Sequence, residues 1–410
     1  MSETTPKFLQ IHTLTSYPAS LLNRDDAGFA KRMPFGGVTR TRISSQCLKR
    51  HWRTSEGGHS LKEIGVPMAV RSRYTFDLHI RKPLIEDGVS DDVATAVTEA
   101  LVAQVLGKSA KAQRVEKDEQ TGDEHPTLRT GQVTVLGRAE LDFLLEQAKL
   151  IAAEVTDPKK ASAACKDHFK GEAKKNLAAL QKAGCGLDAA LFGRMVTADM
   201  LARGDAAVHV GHAFTVHPEN SESDYFTAVD DLIREQEEDE ALGSGHLGNT
   251  ELTSGLFYGY VVVDVPLLVS NLEGCTAADW LTADRTLAAR VVENLVHLVA
   301  TVSPGAKLGS TAPYAYASAV ALEWGCAQPC TWANAFLEPV PNNGRFEHAA
   351  AQAWAEYVAG IDAMYEPGNE RCTAALPSLQ DSLGKVLQED KPRSLAEVAD
   401  WAGKRIRGES

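Results

Sequence analysis

A basic segment in an otherwise acidic chain holds the residues whose types and spacing could do chemistry. Residues 27–55, here called the basic segment, contain no Asp or Glu. Its cations are Lys31, Arg32, Arg40, Arg42, Lys49, Arg50 and Arg53. The 410-residue chain has a formal net charge of −13, so without these seven charges the remainder carries −20. A local positive segment on an acidic protein is typical of a surface that binds an anion.

A turn, a strand and a helix cap are predicted within the basic segment. Gly36 and Gly37 supply backbone freedom for a tight turn, and residues 38–43 alternate in the manner of a strand. Ser44 or Ser45 can then accept a hydrogen bond from the first turn of a following helix. The sequence therefore predicts a strand that leads directly into a capped helix.

The predicted helix, residues 45–53, divides its side chains between two faces. Leu48 and Trp52 share one face, while Lys49 and Arg53, also four residues apart, share another. Exposed amides at a helix N-terminus, followed one turn later by two cations, suit the sugar–phosphate backbone of a nucleic acid. A solvated surface helix is the alternative interpretation, because basic surface helices are common.

Other motifs and the composition narrow the possible functions. Residues 243–248 match GxGxxG but follow the acidic run 235–240, so a return loop is expected there instead of a dinucleotide site. Cys326 and Cys330 lack a second Cys/His pair at zinc spacing, and no metal site is predicted. Seven scattered cysteines favour a reduced, cytoplasmic location. No run of about 20 apolar residues predicts a membrane span.

The predicted elements follow the order of a split βαβ fold. Strands are predicted at residues 8–15, 206–217, 253–264 and 312–324, and helices at 45–53 and 277–301. The order β-α-β-β-α-β is that of an α+β, ferredoxin-like protein, a fold that RNA-recognition (RRM) domains share.

Two insertions interrupt this predicted core. Residues 57–185 have the periodicity of a helical insertion, with helices at 91–106 and 138–155. Its Lys-rich stretch, 158–181, is either a solvated helix face or a second phosphate-binding surface. Residues 218–255 leave one strand and return to the next as a protruding hairpin with apolar residues on its arm. Because those residues cannot easily reach their own core, contact with a neighbouring copy or a displaced base is expected.

Eight short motifs occur in order along the chain. They are NRDD (23–26), FGG (35–37), RISSQCLKR (42–50), GRM (193–195), DYFTAVDDL (224–232), HLGNTELTSGLFY (246–258), PGAK (304–307) and ANAF (333–336). The series resembles the CasC-type backbone subunit of the type I-E CRISPR surveillance complex, Cascade, which belongs to the RAMP superfamily. The order of the motifs, more than any single one of them, carries this resemblance.

The resemblance implies an α+β protein shaped like a hand. An RRM-like palm would consist of residues 1–56, 186–217 and 256–410, helical fingers of 57–185, and a β-hairpin thumb of 218–255. Several copies would stack head to tail in a helical filament along one guide RNA and present it for pairing with invading target DNA. Each thumb would cross onto the next copy and displace one base at regular intervals.

The resemblance also implies roles for individual residues. Guide RNA would be bound by Arg24, Lys31, Arg42, Ser44, Gln46, Lys49, Arg50, Arg53 and Lys307. The base kink and the thumb contact would involve Met195, Tyr225, Phe226, Thr227 and Val229. No catalytic residue, metal ligand or cofactor is implied, and the protein is not expected to be an enzyme.

Several partners follow from the same resemblance. They are the guide CRISPR RNA, target DNA through that guide, neighbouring copies of the chain, and the other Cascade subunits. Those subunits include the guide-processing endonuclease, the subunit that caps the 5′ end, the small subunits and the large subunit. A helicase–nuclease would be recruited indirectly, and no membrane would be involved. The implied function is antiviral defence in the cytoplasm.

The alternative function is enzymatic. Backbone subunits of the related type III complexes cut bound target RNA with an Asp in an N-terminal loop, and Asp25 or Asp26 stands in a comparable loop here. A carboxylate there could ligate Mg²⁺ or position the attacking 2′-hydroxyl. The same residues are equally typical of a turn. A free-standing RNA-binding module is a third possibility, although it would leave the apolar thumb exposed.

Overall fold

The protein is described here from a computed structural model, in two separate compact units. The described residues are 5–107, 112–119, 121–171, 175, 177, 186–194, 204–229, 244–341, 344–387 and 393–409, with the backbone alone for 226–229, 244–247 and 385–387. Unit 1 comprises Met1–Leu61, His209–Asp264 and Ala289–Ser410. Unit 2 comprises Lys62–Val208 and Val265–Ala288.

The strands of the described residues are mostly short, with two long exceptions in unit 1. They are β1 (Phe8–Ser20), β2 (Arg32–Phe35), β3 (Val38–Ile43), β4 (Val70–Ser72), β5 (Ala112–Val115), β6 (Thr127–Thr130), β7 (Thr134–Leu136), β8 (Val208–Val210), β9 (Ala213–Thr215), β10 (Ser221–Val229), β11 (Ser244–Asp264), β12 (Ala319–Gly325) and β13 (Glu370–Ala375).

The helices include several that cover the sheet of unit 1 and several that form the core of unit 2. They are α1 (Ser45–Thr54), α2 (Lys82–Glu86), α3 (Asp91–Val105), α4 (Arg138–Glu154), α5 (Ala161–His168), α6 (Leu187–Phe192), α7 (Val265–Glu273), α8 (Thr286–Thr301), α9 (Leu308–Thr311), α10 (Phe346–Tyr365), α11 (Gln380–Leu387) and α12 (Leu395–Arg407). Within the described part of the chain, no helix has the length and apolar character needed to cross a membrane.

An antiparallel sheet forms the centre of unit 1. Its strand order is β13-β12-β1-β11-β9-β3-β2, and β10 pairs with the outer part of β11 as a hairpin arm. Leu9 of β1 lies opposite Val263 of β11 on one side and Trp324 of β12 on the other. β1 is therefore an interior strand, which explains why most of its residues are buried.

Different helices cover the two faces of this sheet. On one face, Tyr17 and Phe257 pack with Leu48 of α1. On the other face, Leu14 and Tyr258 belong to a cluster completed by apolar residues of α10, including the fully buried Trp354. Because successive strand residues point to opposite faces, the alternation of β1 between these two clusters buries the sheet on both sides.

A polar network is buried beneath α10. The ring of His12 stacks on Trp332 with centroids 3.6 Å apart, and its Nε2 lies 3.5 Å from Glu323 Oε2. Arg371 donates to Glu323 at 2.8 Å and to both carboxylate oxygens of Asp362. Burial lowers the pKa of His12. Burial alone would raise the pKa of Glu323, but its neighbours His12 and Arg371 stabilise the carboxylate and lower that pKa overall.

Unit 2 has a helical core of its own. Residues of α3, α4 and α5 form one buried apolar cluster, and the Arg194 guanidinium donates to Glu140 at 2.6 Å inside the unit. In the Lys-rich stretch, a 3₁₀ turn at Pro158–Lys160 precedes α5, and Lys170 pairs with Asp167 at 2.6 Å. Most of the stretch beyond residue 171 lies outside the described residues.

Several predicted elements are confirmed. The strand predicted at 8–15 is β1, which continues to Ser20, and the helix predicted at 45–53 is α1. The helices predicted at 91–106 and 138–155 are α3 and α4. The segment predicted at 206–217 contains two short strands, β8 and β9, instead of one.

Two predicted boundaries and one predicted loop are wrong. The helix predicted at 277–301 begins only at Thr286, because Asp284 Oδ1 accepts the Thr286 amide at 2.8 Å and starts the helix there. The strand predicted at 312–324 begins at Ala319, since Ala312 has a left-handed φ of 40° that a strand does not allow. The GxGxxG motif was expected in a loop, but from residue 244 it belongs to β11, paired with β10.

The FGG motif closes the β2–β3 hairpin. Gly36 and Gly37 have φ values of +63° and +78°, as a two-residue type I′ turn requires. A Cβ on Gly36 would also lie 1.7 Å from the carbonyl oxygen of Leu337, whereas one on Gly37 would meet nothing within 4 Å. Of the two turn glycines, Gly36 therefore has both a conformational and a steric reason to be glycine, and Gly37 has the conformational reason alone.

We expect Gly36→Ala to lower the free energy of unfolding much more than Gly37→Ala. The Gly37 change should cost about 1–2 kcal/mol for the left-handed conformation alone. The Gly36 change adds a displacement of the Leu337 backbone, which should bring the loss above about 3 kcal/mol. Urea denaturation of the two variants measures this difference. Equal losses would contradict the close approach of the hairpin turn to Leu337.

Candidate nucleic-acid interface

The helix α1 presents a polar stripe above an apolar base. Ser44 is its N-cap, with Oγ accepting the Cys47 amide at 3.3 Å. Trp52 is buried at the base of the helix. Along the outer stripe, Gln46 and Arg50 are exposed and Lys49 and Arg53 are half-buried. The predicted cap and the predicted separation of Trp52 from the cations are confirmed.

The loop of the NRDD motif docks against the start of this helix. Asn23 Oδ1 accepts the backbone amide of Ser44 at 2.9 Å, and the Asn23 carbonyl accepts that of Lys31 at 2.9 Å. Arg24 is exposed and its backbone forms a bridge to Ala30. Asn23 therefore holds both ends of the loop and brings Arg24 and Lys31 beside the N-terminus of α1.

Lys307 reaches the same region from the second half of the chain. The amide of Ala306 donates to the carbonyl of Leu21 at 2.9 Å, directly before the NRDD loop. Lys307 Nζ donates to Thr250 Oγ1 at 2.6 Å, and the neighbouring Glu251 accepts the amide of Ala30 at 2.7 Å. Two independent connections thus join the PGAK motif to the loop that carries Arg24 and Lys31.

Arg42 lies on β3 and completes the cluster of cations. Its amide donates to the carbonyl of Lys31 at 2.8 Å, and its Nη1 donates to His212 Nδ1 at 3.3 Å. Burial, together with the charges of Arg42 and Lys31, lowers the pKa of His212. Because a guanidinium can only donate, His212 Nδ1 is the acceptor in this contact and orients Arg42. Sequence reasoning missed it, because only the pairing of β3 with β9 brings it close.

The electrostatics of this surface favour an anion. Burial lowers the pKa of Lys49, so an anion beside Lys49 would stabilise its charged form and restore that pKa. Burial raises the pKa of the Cys47 thiol, although the charges of Arg50 and Lys31 oppose the rise. The nine residues predicted to bind RNA all belong to unit 1 and lie on these connected segments. We call this set of seven cations and two neutral hydrogen-bonding residues the cation cluster: Arg24, Lys31, Arg42, Ser44, Gln46, Lys49, Arg50, Arg53 and Lys307.

Arg32 and Arg40, two further cations of the basic segment, are bound within the protein. Arg32 forms ion pairs with Glu219 and Glu251, one on each side of the base of the β10–β11 arm. Arg40 is fully buried and donates to three backbone carbonyls, those of Phe35 (3.2 Å), Thr215 (3.1 Å) and Phe336 (2.8 Å). Two of the seven positive charges of the segment therefore stabilise the fold.

The predicted thumb and kink residues are described only in part. Tyr225 lies on β10 opposite Asn249 of β11 and is 64% exposed. Phe226, Thr227 and Val229 belong to the same strand, but their side chains lie outside the description, and Met195 lies outside the described residues altogether. The hairpin arm itself is present, with β10 paired to β11 from Ser221 onward.

Asp25, which the alternative function would use to cut RNA, is hydrogen-bonded to the backbone of its own loop. Asp25 Oδ1 accepts the amides of Ala27 and Phe29, each at 3.0 Å, while Asp26 is exposed. This is the turn geometry that the sequence also allowed. Across the ranges that the structure describes, no three His, Cys, Asp or Glu side chains are grouped so that they could hold a metal ion.

Comparisons with known proteins identify the family. Residues 9–401 match the family model of CT1975-like proteins, a family of Cas proteins. Because the match spans nearly the whole chain, the protein belongs to the CT1975-like family. A comparison with curated proteins finds no match.

Two solved structures are similar to this fold. One is a chain of a "CRISPR RNA-guided surveillance complex, pre-nicking", with 26% identity and a TM-score of 0.75, covering 97% of this chain and 100% of that chain. The other is a chain of a "CRISPR RNA-guided surveillance complex", with 22% identity and a TM-score of 0.65, covering 97% of this chain and 99% of that chain. The second is a likeness of fold alone.

We expect the buried Arg40 to contribute strongly to the stability of the protein. Arg40→Met keeps an apolar stem of similar length but leaves three backbone carbonyls, two of them in buried contacts, without their donor, so we expect the free energy of unfolding to fall by about 3 kcal/mol or more. Arg50→Met removes the same charge from an exposed position of the same segment and should change it by less than about 0.5 kcal/mol. Urea denaturation compares the two. Similar values would mean that Arg40 does not hold these segments together.

Proposed function

We propose that this protein is a CRISPR RNA-binding backbone subunit of a Cascade-type surveillance complex, of the CasC type found in type I-E systems. The observation that carries the proposal is the convergence of Lys31, Arg42, Lys307 and the outer stripe of α1 on one surface of an acidic protein. Membership of the CT1975-like family and the similarity to surveillance-complex chains support the same conclusion.

The cation cluster suits a nucleic-acid backbone better than a particular base sequence. Its charges lie on a loop, a strand and a helix N-terminus, which is where proteins commonly contact phosphates. Contacts of this kind fix the path of a strand without reading its bases. A subunit that must accept guides of any sequence needs this property, since each guide differs.

The strand order supports a ferredoxin-like palm. The neighbours β12-β1-β11-β9 correspond to the fourth, first, third and second strands of the predicted β-α-β-β-α-β core, with α1 after the first and α8 after the third. In this protein α10 covers the second face of the sheet, so bases do not lie across the sheet surface. The guide instead follows the sheet edge at β2, β3 and α1.

The proposed fingers, 57–185, fall largely in unit 2, and the β10–β11 arm is the thumb.

The proposed assembly is a head-to-tail filament on the guide RNA. A thumb that contacts the next copy gives a heterologous interface, and such an interface produces a helical array when it does not close into a ring. The exposed Tyr225 on the arm supports this role, because it lies apart from the apolar clusters of unit 1. The filament presents the guide to target DNA and meets the other Cascade subunits at its ends and along its length.

The protein acts in this proposal without cutting RNA. Asp25, the residue best placed for the alternative type III-like cleavage, already accepts two backbone amides that shape its own loop. Its carboxylate stabilises the loop that carries Arg24 and Lys31. Asp25 is therefore a turn residue, and the turn that it shapes is the proposed phosphate-binding loop.

We expect Lys49→Ala with Arg53→Ala to weaken binding to unrelated single-stranded RNAs by similar factors. Each phosphate contact contributes about −0.7 to the slope of log K against log salt, so the double variant should flatten this slope by about 1.4. At 0.1 M salt the loss should be about 10- to 30-fold. Fluorescence anisotropy over a salt series measures both quantities.

A matched control removes two charges from surface ion pairs elsewhere. Lys149 pairs with Asp87 and Lys404 with Asp400, so Lys149→Ala with Lys404→Ala should leave the salt slope unchanged. A loss for the Lys49 and Arg53 variant that is confined to particular base sequences, or an unchanged slope, would contradict backbone recognition.

The thumb proposal predicts shorter assemblies when its aromatic pair is removed. On a guide RNA long enough for several copies, Tyr225→Ala with Phe226→Ala should reduce the number of copies bound, because the contact between neighbours is lost. Mass photometry counts the copies. As a control, Met364→Ala with Tyr365→Ala removes an exposed adjacent pair, 73% and 64% exposed, from the end of α10. Full-length assemblies with the thumb variant would mean that the pair does not join subunits.

A further inference from the structure

Two tyrosines that no motif of the resemblance includes are strongly exposed in unit 1. Tyr314 and Tyr316 are 72% and 75% exposed. They lie in the segment between α9 and β12, where burial alternates from one residue to the next: Pro313 and Ser318 are buried, and the residues between them alternate between exposed and half-buried. Two large aromatic side chains so close together expose apolar area to water, which is typical of a surface that binds a partner.

The backbone that carries the two rings is held in place. Ser303 Oγ donates to the carbonyl of Ala315 at 2.9 Å and accepts the amide of Ala315 at 3.0 Å. The amide of Ala317 donates to the carbonyl of Ala300 at 2.8 Å, and that of Tyr314 to Ala312 at 2.7 Å. A ring on a fixed backbone loses little conformational entropy on binding, which makes it an effective stacking surface.

The tyrosines also adjoin the cation cluster. Ala315, between them in sequence, packs against a buried apolar cluster that contains Tyr17 and Phe257, and Cys47 and Leu48 of α1 pack against the same cluster. These residues lie next to Lys49 on the same helix. The segment follows Lys307 after only the single turn of α9, and Lys307 contacts Thr250 beside the NRDD loop. With Ala315 turned inward, the alternation turns Tyr314 and Tyr316 outward beside the proposed path of the phosphates.

We infer that Tyr314 and Tyr316 stack on bases of the single-stranded RNA whose phosphates the cation cluster binds. The inference rests on the proposed function and adds a base-contacting subsite to it. Aromatic stacking suits any base because every base has a π-face, so it preserves tolerance of guide sequence. The covered sheet leaves no stacking platform of the RRM kind, and the fixed aromatic pair at the edge supplies one. Adjacent positive charge favours RNA over a protein partner as the occupant.

The test uses the full chain and short single-stranded RNA oligonucleotides that hold one copy. Tyr314→Ala and Tyr316→Ala should each lower affinity about 5- to 150-fold, which corresponds to about 1–3 kcal/mol per stacked base. The salt slope should stay at the parent value, because no charge is removed. Tyr314→Phe and Tyr316→Phe keep the ring and should bind like the parent. Tyr365→Ala, a change at an exposed tyrosine of α10, should also have no effect.

A spectroscopic readout separates stacking from a change in overall affinity. With 2-aminopurine placed in turn at each position of the oligonucleotide, the parent and the Phe variants should quench its fluorescence at one or two positions, and the Ala variants should not. Unchanged affinity and unchanged quenching in both Ala variants would overturn the inference. Unchanged RNA binding with weakened self-association would also overturn it, and would assign the pair to a contact between copies.

Failure of this inference can be distinguished from failure of the proposed function. If the Lys49 and Arg53 double variant loses affinity and the tyrosine variants do not, only the stacking subsite is wrong. If the parent does not bind single-stranded RNA, or the double variant binds as well as the parent, the proposed function itself fails.

Discussion

The buried guanidinium of Arg40 is the interaction on which the candidate interface depends. Its three hydrogen bonds join the β2–β3 hairpin turn, the strand β9 and the 3₁₀ turn that ends at Phe336. A buried charge is costly unless its donors are satisfied, and three carbonyls from separate segments satisfy this one. The hairpin is therefore held at the edge of the sheet by the core itself. The NRDD loop and the N-terminus of α1 are arranged on that hairpin, through Lys31, Arg42 and Asn23.

The same arrangement explains how an acidic protein can present a positive surface. The basic segment uses Arg40 for its core and Arg32 to bind the two glutamates at the base of the hairpin arm. Those ion pairs also offset acidic charge close to the cation cluster. Lys31, Arg42, Lys49, Arg50 and Arg53 then lie on segments that are connected to Lys307, which comes from a distant part of the chain. The acidic remainder of the protein opposes nonspecific association of nucleic acid elsewhere.

The covered sheet distinguishes this protein from a simple RNA-recognition domain. α10 and the buried network of His12, Glu323 and Arg371 occupy the face on which an open sheet could receive bases. In the proposed function, recognition takes place at the edge instead, where a helix N-terminus, a loop and a strand meet. Under this proposal, the edge would contact the guide through its phosphates and leave the opposite side of the guide open for pairing with a target.

The sequence by itself determined the local features of this protein. The acid-free run, the Ser44 cap, the two glycines of the turn and the apolar spacing of Leu48 and Trp52 depend on near neighbours, so α1, its faces, the turn and the strand that follows it were predictable. Only the tertiary structure decided which of these charges hold the fold together. Arg40 and Arg32 look like their neighbours in the sequence, but their partners Thr215, Phe336, Glu219 and Glu251 are more than 170 residues away along the chain. His212 joins the candidate site for the same reason, and so do the tyrosines 314 and 316 in the proposed stacking subsite. Burial and long-range pairing follow from the packing of distant segments, which a local pattern does not encode.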